Sequence, residues 1–227
     1  MSNNDAKDFN LLALNDIIKL IEIQYEGSIT MEYSAAMTSR PYLYKETKIV
    51  ASLLAKGTDI NDIKNISVEE NIFQLEKEYR RIEIAQATTS RLKNIDSLII
   101  DKIANGTTEI SKLLVVYIIM KHNRFFFEFI NEVYKEKIIL RETTIKDKDF
   151  NMFFNRKKEE SEKVNGWSEH TFRKLKNVFT IILVDSGMGI KKDGEIEIKV
   201  PLIDKELSNY LISIGDKMYI NAMEGIA

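Results

Sequence analysis

The sequence predicts a mainly α-helical protein, an all-α bundle followed by a winged helix-turn-helix domain with a small β-hairpin as its wing. Three observations carry that prediction. Apolar residues recur at helical spacing from Asp8 to Ile139, and no strand pattern interrupts them. The stretch Gly166 to Gly189, GWSEHTFRKLKNVFTIILVDSGMG, reads as one helix, with Ser168 as N-cap and Gly187 and Gly189 as the stop. Directly after it, GIKKDGEIEIKV places the turn signal Asp193-Gly194 before an alternation of Ile196, Ile198 and Val200, the pattern of a hairpin with a half-buried strand.

In chain order, residues 1–32 are a polar tail and a leading helix, with Leu11, Leu14, Ile18, Ile21 and Tyr25 at helical period from Asp8 to Tyr25. Residues 33–140 are the bundle. Pro41 ends one short helix or opens the next with Ser39 as its cap, and Tyr42 to Lys56 is a helix closed by Gly57. Ser67 and Glu70 have capping-box spacing and predict the start of a helical stretch that runs, with a break near Glu76, to Ile95. Asp96 caps a short helix that ends at Asn105-Gly106, and Thr107 or Thr108 opens the apolar helix through His122. Asn123 then caps RFFFEFINEVYKEKII, whose Phe125, Phe126, Phe129, Ile130 and Val133 are core positions.

The apolar periodicity stops at Leu140 to Thr144, which marks the boundary to the third region, residues 141–227. Here Phe150, Phe153 and Phe154 form the buried stripe of a first helix. A polar turn, Val164 to Gly166, and Trp167 as hydrophobic staple lead into the capped second helix, so residues 144–203 have winged helix-turn-helix order. Phe172, Leu175, Phe179, Ile182 and Leu183 are its core stripe. After the wing, Pro201 ends the strand, Asp204 caps a helix to about Ile214, and Gly215 stops it; DKMYINAMEGIA carries no clear signal.

Composition narrows the function. At 227 residues with 44% hydrophobic content the chain can build a proper core, and the absence of cysteine removes disulfides and thiolate or sulfur-bound zinc chemistry. The N-terminus has no secretory signal, and the most apolar run, Leu113 to Met120, is far shorter than the roughly 20 residues that span a bilayer. A cytoplasmic, non-membrane protein is the expectation. His122 and His170 are the only histidines; His122 lies near a helix C-terminus, where the dipole favours a protonated ring. No Gly-rich phosphate loop, metal-ligand spacing or nucleophile motif is present, so neither an enzyme nor a cofactor or small-molecule substrate is expected. The acidic cluster Glu159, Glu160 and Glu162 beside Arg156, Lys157 and Lys158 reads as a solvated helix face with paired charges.

Charge points instead to duplex DNA. The net charge is only −2, but residues 141–192 hold 12 Lys and Arg against 8 Asp and Glu, while residues 193–227 hold 3 against 7. On the capped helix, His170, Arg173, Lys174 and Asn177 recur on a face away from the core stripe, and these side-chain types reach base edges and phosphates in a major groove. Arg156, Lys157, Lys158, Lys191 and Lys192 are candidate phosphate contacts. Arg40, Arg80, Arg81 and Arg91 are candidates for a second basic surface on the bundle, with Arg80 and Arg91 three helical turns apart.

Several short segments also carry a resemblance. Tyr33-Ser34-Ala35, Thr38-Ser39-Arg40, Glu46 in a helix ending Lys56-Gly57, Glu70-Asn71, Arg91-Leu92 and the Trp167-Ser168 helix entry together resemble the BrxA family, encoded in the BREX bacteriophage-defence operons. The likeness spans roughly residues 30 to 215. It implies a cytoplasmic, non-enzymatic DNA-binding accessory protein that works with other BREX subunits, with a helical part similar to the NusB fold of RNA-binding antitermination factors. Two other readings stay open: a scaffold for other BREX subunits, and an RNA binder that uses the bundle as NusB-like proteins do.

Overall fold

Leu113 to Met120 has no polar face, and a helix without one has to be covered on every side. In the computed structural model, which describes residues 31–39 and 41–226, this run is the centre of the fold. The leading helix expected over Asp8 to Tyr25, and Arg40, lie outside the described residues.

A 3-10 turn at Ala36–Thr38 precedes α1 (Tyr44–Ala55), α2 (Ile63–Glu69), α3 (Glu78–Leu92), α4 (Ser97–Asn105) and α5 (Thr108–His122). Helices α1, α3 and α4 pack on one part of α5, and Leu113 through Met120 are all buried. Caps read from the sequence are made: Asp96 accepts from the Leu98 amide, Thr107 from Ile110 and Asn123 from Phe126. Others are not. Ser67 sits inside α2, where its hydroxyl donates to the Lys64 carbonyl at 2.7 Å, so the predicted capping box with Glu70 does not form. Ser39 closes the 3-10 turn rather than opening α1.

The next helix is α6 (Arg124–Phe129), continued through a π-helical turn, Ile130–Tyr134, into α7 (Lys135–Ile139). After the link at Leu140–Thr144 come β1 (Thr144–Ile145), α8 (Asp147–Glu160), α9 (Glu162–Asn165), α10 (Glu169–Ser186), β2 (Gly189–Lys192) and β3 (Glu195–Ile198). The chain then forms α11 (Lys205–Ser213) and α12 (Lys217–Glu224). One buried cluster crosses the link. Phe125, Phe126 and Phe129 of α6 meet Phe153, Phe154 and Phe179 of α8 and α10, with Phe129 stacked on Phe150 at 4.9 Å.

The hairpin forms with Asp193 at φ 51° and Gly194 at φ 84°, the pair of left-handed residues that matches strand twist in a two-residue turn. Its sheet has a third member, absent from the sequence reading: β1 pairs antiparallel with β3, giving the order β1-β3-β2. Gly189 is required for a close approach, because a Cβ there would stand 2.6 Å from Ile196 Cγ2. Ile196 is buried, but β3 ends at Ile198 and Val200 is exposed, so the alternation stops one residue pair early.

The segment after Gly215 also carries structure. Asp216 is completely buried, hydrogen-bonded by the Tyr117 hydroxyl and paired with Lys121 at 2.7 Å, and α12 packs Tyr219 edge-on against Tyr117. Among the described residues no helix is long and apolar enough to cross a membrane.

Candidate nucleic-acid interface

Helix α10 is held at its entry by Ser168, which accepts from the Thr171 amide, and by Trp167, whose ring lies 5.9 Å from Phe172 as a staple across the cap. Gly187 at φ 86° ends it. With Phe172, Leu175, Phe179, Ile182 and Leu183 all buried, the helix has one possible rotation, and that rotation exposes His170, Arg173, Lys174 and Asn177 together. Arg173 and Lys174 form no ion pair with any described residue, nor do the exposed Lys191 and Lys192 of the hairpin.

Several neighbouring cations are engaged. Lys176 meets Asp147 at 2.6 Å, Arg156 meets Glu132 at 2.6 Å, and Lys158 meets Glu169 at 2.8 Å while lying over the Phe172 ring. Between α10 and the hairpin runs a cleft of about 480 Å³ whose lining includes Asn177, Thr180, Ile181 and Lys191. It brings one helix candidate and one hairpin candidate to a common surface. Thr180 and Ile181 were not singled out from the sequence, although each lies three or four residues beyond Asn177 on the same flank.

Lys157 is a correction. It is buried, only 3% exposed, and its ammonium touches Glu128, Glu132 and Glu160, each at 2.8 Å, so it cannot serve as a phosphate contact. Burial works against its charge, but the hydrogen bonds it donates to these carboxylates outweigh that and raise its pKa. Burial likewise opposes ionisation of Glu128, yet Lys157, Arg124 and the Tyr33 hydroxyl hold its pKa below the ordinary value; for Glu132 desolvation wins and the pKa rises. The signal for Lys157 was in the sequence, since it stands seven, four and three residues after Phe150, Phe153 and Phe154, on their stripe.

The second basic surface is corrected as well. Arg91 is buried and donates to the carbonyls of Tyr42 at 2.9 Å and Pro41 at 2.8 Å. Arg81 donates to the carbonyls of Leu75, Val68 and Glu76, tying the α2–α3 loop, and Arg80 pairs with Glu83 at 2.5 Å. These three side chains hold their own surroundings together and do not line a shared groove. His122 departs from expectation too: burial lowers its pKa despite the helix C-terminus, and Nδ1 lies 2.8 Å from the Ile118 carbonyl.

The BrxA family model matches residues 31–215. The chain belongs to the BrxA family. It is 42% identical over 193 residues to the BREX protein BrxA of Bacillus cereus (strain H3081.97), an alignment that covers 85% of this chain and 96% of that one. A crystal structure of an uncharacterized protein from Magnetospirillum magneticum has the same fold, with a TM-score of 0.74 at 19% identity over 86% of this chain and 100% of that one. The BrxA match takes in the bundle, α10 and the hairpin, and it stops one residue before the buried Asp216.

Proposed function

We propose that this BrxA-family chain acts in BREX phage defence as a non-enzymatic, cytoplasmic accessory protein that binds duplex DNA and works beside other BREX subunits. Helix α10 serves as recognition helix and the β2–β3 hairpin as wing. The observation that carries this reading is the outward face of α10: two cations and one amide, held rigidly by a buried stripe, next to two further lysines on the hairpin, with none of the four cations in an ion pair with any described residue. Arg173 and Lys174 suit guanine edges and phosphates, Asn177 suits adenine, and His170 lies at the N-terminal end of the same face. Lys191 and Lys192 supply phosphate contacts, while Arg156 and Lys158 would have to exchange their present carboxylates for phosphate. Because few cations are free and the chain is acidic overall, the affinity should be modest and steeply salt-dependent.

The test is fluorescence anisotropy with a labelled random-sequence duplex over a salt series, with single-stranded RNA as competitor. Duplex binding that weakens with salt, resists the RNA, and drops about tenfold or more in Arg173→Ala with Lys174→Ala at unchanged melting temperature is the expected result. Equal binding by the double variant would remove α10 from the interface.

A further inference from the structure

Away from α10 and the hairpin, α8 and the α6–α7 helix enclose a groove of about 510 Å³. Glu128, Glu132 and Glu136 follow one another at four-residue spacing through the π-helical turn, and the last two line the groove. The first two carboxylates are neutralised from α8: Lys157 reaches both, and Arg156 reaches Glu132. Glu136 forms no ion pair with any described residue. On α8, one turn beyond Asn155, stands Glu159, which also forms no ion pair with any described residue. The two cations in the lining, Lys137 and Arg156, are already held by Glu142, Asp149 and Glu132.

Between these carboxylates four apolar side chains, Val133, Leu140, Met152 and Phe153, contribute to the lining. Val133 and Phe153 lie buried in its lining, while Leu140 and Met152 stand 67% and 69% exposed at its edge, more than the other large apolar side chains of the described residues except Leu202. An exposed apolar pair flanked by unneutralised charge of one sign is the arrangement of a recognition surface with an apolar centre and a polar rim.

We propose that this groove docks a basic amphipathic segment of another protein, an apolar side chain seated between Leu140 and Met152 and Lys or Arg side chains meeting Glu136 and Glu159. The sign of the charge decides among occupants. Nucleic acid is repelled here, and the chain's own first 30 residues, with five Asp and Glu against two Lys, carry the wrong sign. The groove shares no lining residue with the cleft between α10 and the hairpin, and its Arg156, a phosphate candidate of the duplex reading, is here held by Glu132, so a protein partner and a duplex seated on α10 could be held at once.

The experiment uses the full chain and a fluorescein-labelled synthetic amphipathic peptide of lysine and leucine, with a glutamate–leucine peptide as control. Binding of the lysine peptide alone, weakened about tenfold or more both by Glu136→Lys with Glu159→Lys and by Leu140→Ser with Met152→Ser, but not by Glu69→Lys with Glu70→Lys at the C-terminal end of α2, is the expected result. Amide shifts in the wild-type chain should then cluster in residues 132–140 and 149–159. The proposal is overturned if neither peptide binds, if the α2 pair weakens binding as much as the groove pairs, or if the shifts fall elsewhere. Duplex binding by the uncharged pair, Leu140→Ser with Met152→Ser, stays at the wild-type level, which separates this outcome from the fate of the α10 reading.

Discussion

Arg156, Lys157 and Lys158 are consecutive in the sequence, yet the three have different fates because a helix turns about 100° per residue. Arg156 and Lys158 keep access to water, and Lys157 is carried into the aromatic layer, where three carboxylates surround it. Removing Lys157 takes the shared cation from Glu128 and Glu132, both largely buried, and empties a site inside the aromatic layer. Lys157→Ala should therefore destabilise the fold by about 3–5 kcal/mol, whereas Lys158→Ala should cost under about 1 kcal/mol. Urea unfolding of both variants checks this, and equal midpoints would refute it. The comparison also shows where residue identity fails as a guide: the run Arg156-Lys157-Lys158 looks like one basic patch until its phase relative to Phe150, Phe153 and Phe154 is counted.

At the level of elements, helices whose ends are written in side-chain chemistry were legible. Asp96, Thr107, Asn123, Ser168 and Asp204 each accept the amide hydrogen bond that their position predicts. What could not be read were features that depend on another part of the chain. Ser67 and Glu70 have the spacing of a cap, but Ile63 fits the core completely and draws the helix start upstream. The two-residue strand β1 exists because β3 offers it an edge, and α12 because Asp216 finds Tyr117 and Lys121 far back in the sequence. The candidate interface divides the same way, since the α10 face follows from local periodicity while the fate of Arg91 is set by carbonyls about fifty residues away. For α10 itself, Ser168→Ala should cost about 1 kcal/mol through the lost cap, and Gly187→Val more, because a β-branched residue is strained at φ 86°. Thermal melting of the two variants would expose the error if the valine variant were the more stable.

Across the molecule, tyrosines join the parts. Tyr33 donates to Glu128, Tyr42 to the Lys112 carbonyl, Tyr117 to Asp216 and Tyr134 to the Lys199 carbonyl, each across at least 65 residues. Burial, helped at Tyr33 and Tyr117 by the neighbouring carboxylate, raises all four pKa values, that of Tyr33 to about 12. Below the ordinary value of 10.0 both folded and unfolded chains keep these protons, so the contribution to stability is complete. Above it the unfolded chain releases protons that the folded chain retains, and stability falls as the pH rises. Alkaline unfolding should accordingly be cooperative, with the tyrosinate absorbance of these four side chains appearing together with loss of the helical circular dichroism. Smooth titration of all nine tyrosines ahead of any helix loss would contradict the assignment. The buried helix α5 has one more implication, for biosynthesis. Tyr117 and its partner Asp216 are 99 residues apart, so at roughly 5–20 residues per second the ribosome needs about 5–20 s to deliver the last wall of the core. During that interval the nascent chain presents an uncovered oily surface, a natural landing place for a chaperone, and α12 is the helix that seals it.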